Sequence, residues 1–313
     1  MSIKISVIIP TYNKADLLQL TLDALSKQNL DYSQWQIVVV NDGATDNTAE
    51  ILKAFSESWD GNIELVKPEM NLGRAKARNL GAESACGDYL LFLDDDIVAP
   101  TNLLSSHLAL LDAVGGFGVI GTIVTSADLI DAPHFYYIDS RGVAKITTGF
   151  VPGKYLVTQN CSLPRDLFMK VGGFDDEFTA YGFEDMDLGI KLCNAGLKFK
   201  LLDNSVPVHV HHHTLYQYLD KKRECGAESL QLVAKKHPGS VKDMKLDWVL
   251  DKQPGLFIKT FRHLSTSVFY QSAISVALKW PSNSAQKPIF EPVYFKLMDF
   301  LVMASFYRGY MSY

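Results

Sequence analysis

The sequence predicts an α/β fold: a mostly parallel sheet covered by helices on both faces, followed by a helical C-terminal extension. Three observations predict it. Short, near-continuously apolar strands alternate with helical patterns through the first hundred residues, turn-forming tripeptides follow the strands, and beyond about residue 215 the chain becomes helical and punctuated by prolines. Strands that are apolar on both sides belong in sheets buried on both faces.

Residues 5–9 are a β-branched run and form the first strand, which turns at Pro10-Thr11-Tyr12-Asn13. Leu17, Leu18, Leu20, Leu22 and Leu25 then recur at mixed helical spacing, with Asp16 near the start as a cap. Residues 36–40 are the second strand, ended by Asn41-Asp42-Gly43, and Asp46 caps a helix reaching Phe55. Residues 63–66, 75–85 and 89–93 read as strand, helix and strand. After about Gly115 the alternation loosens. A strand is expected over 119–125, an aromatic loop at His134-Phe135-Tyr136-Tyr137, a strand over 155–158, a helix over 184–195 and one charged amphipathic helix over 216–233. The expected organisation is a catalytic domain over 1–215, with a nucleotide-binding part at 1–115 and an acceptor part at 116–215, and an extension over 216–313.

A chain of 313 residues suffices for a domain of about 200–250 residues plus an appendage. With 47% hydrophobic and 21% charged residues and a net charge of −5, the composition is that of an ordinary globular protein. The acidic balance gives no electrostatic reason to expect nucleic acid. Cys86, Cys161, Cys193 and Cys225 are far apart without CxxC spacing and read as free thiols. The N-terminus reads as a first strand rather than a signal peptide, which favours the cytoplasm. No apolar stretch reaches the roughly 18–20 residues that span a bilayer.

In parallel sheets ligands bind beyond the carboxyl ends of the strands. Thr11–Asn13, Asn41–Gly43 and Asp94–Asp96 all follow strands, so they should line one crevice. If the chain stays extended past Leu93, Asp94 and Asp96 point to one side, about 6.6 Å apart at Cα, and Asp95 to the other. Paired carboxylates at a strand end suit a hard cation such as Mg²⁺ or Mn²⁺, the remaining positions going to water and substrate phosphates. The plain alternative is an acid-rich helix start. Glu184-Asp185 reads either as helix capping or as a carboxylate general base towards a hydroxyl. His209 and His211 fall on one face of an extended segment, as metal ligands or as a surface histidine run.

Four blocks, SVIIPTYNKADLLQLTLDALSKQ, VVVNDGATDNT, NLGRAKARNLGAESACGDYLLFLDDD and VGGFDDEFTAYGFEDMDLGIKLCNAG, resemble in order and spacing the family 2 glycosyltransferases of GT-A fold, over about residues 3–215. The resemblance implies an inverting, Mn²⁺- or Mg²⁺-dependent enzyme that moves a sugar from a nucleoside diphosphate donor, usually UDP-linked, to a hydroxyl. It implies that Pro10, Thr11, Tyr12 and Asn13 shape the nucleotide pocket, that Asp42 binds the base, and that Arg78 and Arg74 lie near base, ribose or phosphate. Asp94–Asp96 correspond to the DXD element, with Asp96 on the metal, Asp94 on ribose or metal-bound water, and Asp95 beside the nucleotide. Asp185 is the preferred base and Glu184 the alternative. His209 is preferred to His211 as third metal ligand. Two carboxylates side by side in a closed pocket should also lift one pKa.

Two rivals remain at this level. A sugar-nucleotide nucleotidyltransferase would carry a Gly-rich basic loop after the first strand, where Pro-Thr-Tyr-Asn stands here. A non-catalytic carbohydrate- or partner-binding protein would not need the aspartates, the ED pair and the histidine together. The acceptor, whether carbohydrate, lipid-linked glycan or another hydroxyl compound, is open. The extension, with basic residues among its aromatics, reads either as an amphipathic element on the inner membrane face or as a cap packed on its own domain or on a second subunit.

Overall fold

A computed structural model describes residues 3–113, 117–129, 132–146, 149–281 and 290–312. The expected boundary at residue 115 and Pro288 lie outside them. The main sheet has eight strands: β1 Ile5–Thr11, β2 Trp35–Asn41, β3 Asn62–Val66, β4 Tyr89–Leu93, β6 Phe117–Gly121, β8 Phe150–Val151, β9 Asn160–Pro164 and β10 Lys198–Leu202, in the order β3-β2-β1-β4-β9-β6-β10-β8. β3, β2, β1 and β4 are parallel, whereas β9 runs antiparallel to both β4 and β6. A second sheet joins β5 Ile97–Val98, β11 Val208–His209 and β7 Val124–Thr125.

Alternation along β1 divides its side chains between two cores. Val7 and Ile9 pack with Leu18, Leu22, Trp35 and Leu104 on one face. Ile8 packs with Ala82, Phe92, Phe168, Phe174 and Leu188 on the other. Each fully buried aliphatic side chain here contributes about 1.5–3 kcal/mol, and two buried polar residues of these strands pair with each other, Ser6 Oγ donating to Gln36 Oε1 at 3.1 Å. Helices α1 Ala15–Leu25, α2 Thr48–Ser58, α3 Arg74–Ser84, α4 Leu103–Ala113, α6 Arg165–Lys170 and α7 Glu184–Asn194 surround the sheet.

The chain divides into two compact units. One comprises residues 1–126, 142–176 and 185–211, with the sheets; the other comprises 127–141, 177–184 and 212–313. The second unit holds α5 Pro133–Asp139, α8 Leu215–Ala227, α9 Ser229–Lys236, α10 Pro238–Asp243, α11 Asp247–Leu250, α12 Leu256–Thr266, α13 Val268–Leu278 and α14 Glu291–Met311. It has its own core of Tyr137, Leu219, Tyr270, Ile274, Tyr294 and Leu301. α8 and α14 approach so closely that a Cβ on Gly226 would meet the Phe306 carbonyl, and one on Gly309 the Arg223 carbonyl. No helix among the described residues is long and apolar enough to cross a membrane.

Several local expectations are corrected. The aromatic loop is helix α5: Pro133 sits at its start, and His134, Phe135 and Tyr137 are buried. Residues 155–158, where a strand was expected, leave the 3₁₀ turn Gly153–Tyr155 and run through coil and turn, and the strand comes later, at β9. That strand is hard to read because it buries polar side chains. Asn160 and Ser162 face the two ring nitrogens of His107, each at 2.8 Å. The stretch 119–125 is two strands in different sheets, and 216–233 is two helices broken at Glu228. The α1 amides are capped not by Asp16 but by Asp46, whose Oδ2 accepts from the Ala15 N–H at 3.1 Å.

Candidate active site

The candidate site gathers in the first unit beyond the carboxyl ends of β1, β2 and β4. At β1, Thr11 is buried and Tyr12 exposed, and Pro10 lies half-buried before them. Asn13 takes the left-handed conformation, φ 53°, and its Oδ1 accepts from the Thr45 N–H at 2.7 Å. At β2, both oxygens of buried Asp42 accept backbone N–H groups, from Leu72 at 2.7 Å and Gly73 at 3.0 Å. Asp42 therefore anchors the loop that starts α3 and so sets the position of exposed Arg74 and buried Arg78.

After Leu93 the chain turns instead of remaining extended, so the expected alternation of the three aspartates fails. Asp94 Oδ1 accepts from Arg78 at 3.0 Å. Asp95 and Asp96, expected on opposite sides, share one cation: Lys14 Nζ donates to Asp95 Oδ1 at 3.0 Å and to Asp96 Oδ2 at 2.7 Å. Burial pushes the Asp95 carboxyl up to about 6 against the pull of Lys14. Burial also opposes ionisation of Asp96, but the His209 ring and the Lys14 charge outweigh it and hold that carboxyl well below the usual range. Lys14 was not singled out in the sequence, although its place directly after Pro-Thr-Tyr-Asn at a strand end was the available signal.

The second sheet explains how the histidines reach Asp96. β5 begins one residue after Asp96, β11 pairs with it in the register His209↔Ile97, and the Val210 N–H donates to the Asp96 carbonyl at 3.0 Å. His209 Nε2 thereby lies 3.4 Å from Asp96 Oδ1, and His211 Nδ1 lies 4.0 Å from Asp96 Oδ2.

β9 supplies the last part. Its antiparallel register, Leu93↔Asn160, sets the segment just before it level with the residues just after β4. There Thr158 donates from its N–H and Oγ1 to Asp185, at 3.2 and 3.0 Å. Arg78 Nη1 lies 3.7 Å from Asp185 Oδ1 while Nη2 holds Asp94, so one guanidinium joins the strand-end acids to the first turn of α7. Glu184, one residue earlier, is buried and belongs to the second unit.

A divalent metal fits these residues. Asp96 Oδ1 is buried, accepts no hydrogen bond among the described residues, and faces an imidazole nitrogen at 3.4 Å, a spacing two ligands of one ion can have. Among the described residues no three acidic, histidine or cysteine groups form a closed ligand set.

Two family models match, that of glycosyl transferase family 2 over residues 6–170 and that of the N-terminal domain of galactosyltransferase over residues 151–214. The chain is 28% identical over 274 residues to validoxylamine A glucosyltransferase of Streptomyces hygroscopicus subsp. jinggangensis, covering 77% of this chain and 62% of that protein. It is 27% identical over 244 residues to chondroitin synthase of Escherichia coli, covering 66% of this chain and 34% of that protein. It thus spans less than two thirds of the length of these relatives. Among solved structures, mannosyltransferase PcManGT from Pyrobaculum calidifontis, in complex with GDP-Man and Mn²⁺, has a TM-score of 0.63 at 18% identity, over 100% of this chain and 89% of that one. A fragment of S. aureus TarS in complex with UDP-GlcNAc gives 0.57 at 16% identity, over 99% and 91%. These two likenesses carry the fold, whereas the family 2 model spans more than half of the sequence and includes every strand-end residue from Pro10 to Asp96. On that match, the chain belongs to glycosyl transferase family 2.

Proposed function

We propose that the protein is a metal-dependent inverting glycosyltransferase that moves a hexosyl or N-acetylhexosaminyl group from a nucleoside diphosphate sugar, UDP-linked in the first instance, to an acceptor hydroxyl. The observation that carries this reading is the Asp94–Arg78–Asp185 connection, which brings the strand-end acids and the ED carboxylate to one guanidinium. Inversion needs the base and the leaving diphosphate on opposite sides of the anomeric carbon, and here they belong to different chain segments.

In this reading Thr11, Tyr12 and Asn13, with Pro10 behind them, shape the nucleotide pocket, and Asp42 faces the base while holding the 71–73 loop. Arg78, with Arg74 nearer the surface, meets negative charge on the diphosphate. Asp96 and His209 hold the metal, Asp94 supports it or the ribose, and His211 is the reserve ligand. A carboxylate with imidazole suits Mn²⁺ better than Mg²⁺. The metal, when bound, neutralises charge on the departing diphosphate. Asp185 takes the proton from the acceptor hydroxyl, and Thr158 fixes its orientation by two hydrogen bonds. Thermal shift and slow donor hydrolysis, run against UDP-, GDP- and dTDP-sugars with Mn²⁺ and with EDTA, test this. Metal-dependent stabilisation and nucleotide release with one base are expected. No response to any donor sinks the proposal.

For the extension, the exposure of Leu256 and Phe257, at 83% and 84%, next to exposed Lys259 favours contact with an anionic lipid surface. Flotation with phosphatidylglycerol-containing vesicles should retain the full chain and lose a Leu256→Asp/Phe257→Asp variant. Failure of the unaltered chain to float removes this reading. Point variants are required because α14 fills the core of the second unit, so truncation would unfold it.

A further inference from the structure

Asp94, Asp95 and Asp96 bring three negative charges to one turn, and two cations of the chain's own answer them. Arg78 pairs with Asp94 at 3.0 Å, while the Lys14 ammonium lies between Asp95 Oδ1 at 3.0 Å and Asp96 Oδ2 at 2.7 Å. Arg78 has a part in the proposed chemistry, and Lys14 has none. Asp95 and Asp96 are both buried, so water screens them little and their mutual repulsion is costly without a cation beside them.

Lys14 is held in this place from several directions. Parallel pairing of β1 with β4 brings the ends of the two strands side by side. The backbone is pinned before and after the lysine: Asn13 Oδ1 accepts from the Thr45 N–H at 2.7 Å, and the Ala15 N–H donates to Asp46 Oδ2 at 3.1 Å. Beyond the turn, the Ile97 N–H donates to Thr21 Oγ1 at 3.1 Å. Helix α1 thus follows directly from Lys14 and, further along, fixes the chain after Asp96. The ammonium takes only Oδ2 of Asp96, whereas Oδ1 faces His209 Nε2 at 3.4 Å. One carboxylate therefore has one oxygen on the lysine and the other turned to the imidazole with which it would share a metal.

We infer that Lys14 is a resident counter-cation, a positioning residue that makes tight metal binding depend on the donor diphosphate. This rests on the glycosyltransferase reading. Two carboxylates and one ammonium leave a single net negative charge at Asp95 and Asp96, which holds a divalent ion weakly. A nucleoside diphosphate brings further negative charge, so metal and donor bind together. Without the lysine the same carboxylates present two negative charges and hold the metal on their own.

EPR titrations of Mn²⁺ into the full chain at pH 8, with and without UDP or GDP, test this. Without nucleotide, Lys14→Met should bind Mn²⁺ at least about tenfold tighter than the unaltered chain, because a positive charge has been taken from beside a divalent ion. Nucleotide should then add less to the affinity than it does in the unaltered chain, and Lys14→Arg, which keeps the charge, should behave as the unaltered chain. A lysine that merely shapes the turn gives the opposite sign, since its loss can only loosen the site. Asp95→Asn probes the same balance with the lysine in place and should weaken Mn²⁺ binding without nucleotide by about tenfold. Lys14→Met/Asp95→Asn, with both charges gone, should return to the unaltered affinity. These last two variants leave no carboxylate without a counter-charge that the unaltered chain provides, so the test stands even where Lys14→Met alone does not fold. Equal or weaker Mn²⁺ binding in Lys14→Met, unchanged binding in Asp95→Asn, or lost binding in the double variant overturns the inference. An unaltered chain that binds no Mn²⁺ with any nucleotide strikes the glycosyltransferase reading, and this inference with it, so the two failures are told apart.

Discussion

Replacing Asp185 with asparagine is expected to lower kcat by about 10³-fold while leaving donor affinity within a factor of about two. Asparagine has the shape of aspartate but cannot take a proton from an attacking hydroxyl. The aspartate oxygens now accept two bonds from Thr158 and face Arg78 at 3.7 Å. The amide keeps an acceptor for one Thr158 donor and loses the other bond, a stability cost of about 1 kcal/mol that a melting curve will register. That cost is far too small to explain a thousandfold loss of turnover. Steady-state kinetics at saturating donor separate the effects: a fall in kcat with an unchanged donor KM is the signature of the base. If the variant retains most of its turnover, the role passes to Glu184, and Glu184→Gln becomes the informative change.

The second large effect is expected at Asp96. This carboxylate meets Lys14, His209 and His211 at once. Asp96→Asn removes the only negative charge on that residue while keeping its volume, so the metal loses its principal anionic ligand. A metal's stabilisation of developing charge is worth several kcal/mol, and activity should therefore fall by at least about 10³-fold. Unlike the Asp185 change, this one should also abolish the dependence of nucleotide binding on metal. A variant that still binds nucleoside diphosphate only when Mn²⁺ is added would place the metal elsewhere.

What the sequence made legible follows physical range. The parallel half of the sheet was readable because buried strands must be apolar on both faces, and the strand-end positions of Thr11, Asp42 and Asp94 came with it. Lys14 and Thr158 were not recovered, because each acquires its meaning from a partner far away in sequence. Thr158 meets Asp185 only because β9 runs antiparallel to β4, and β9 hides its identity by burying Asn160 and Ser162 against His107. The aspartate geometry was misread for a local reason: the strand ends at Leu93 and the turn that follows swings Asp95 and Asp96 towards one lysine. The histidines were placed for an incomplete reason, since it is the β5–β11 pairing, not alternation alone, that brings His209 to Asp96.

The central claim is that Asp96 and His209 hold a divalent cation that the donor diphosphate completes. The most direct measurement is an EPR titration of Mn²⁺ into the unaltered chain and into Asp96→Asn, each with UDP, with GDP and with no nucleotide. The account predicts one Mn²⁺ per chain, bound more tightly when one of the nucleotides is present, and at least about 100-fold weaker binding in the variant. Equal Mn²⁺ binding by both proteins, or no effect of either nucleotide, would contradict it.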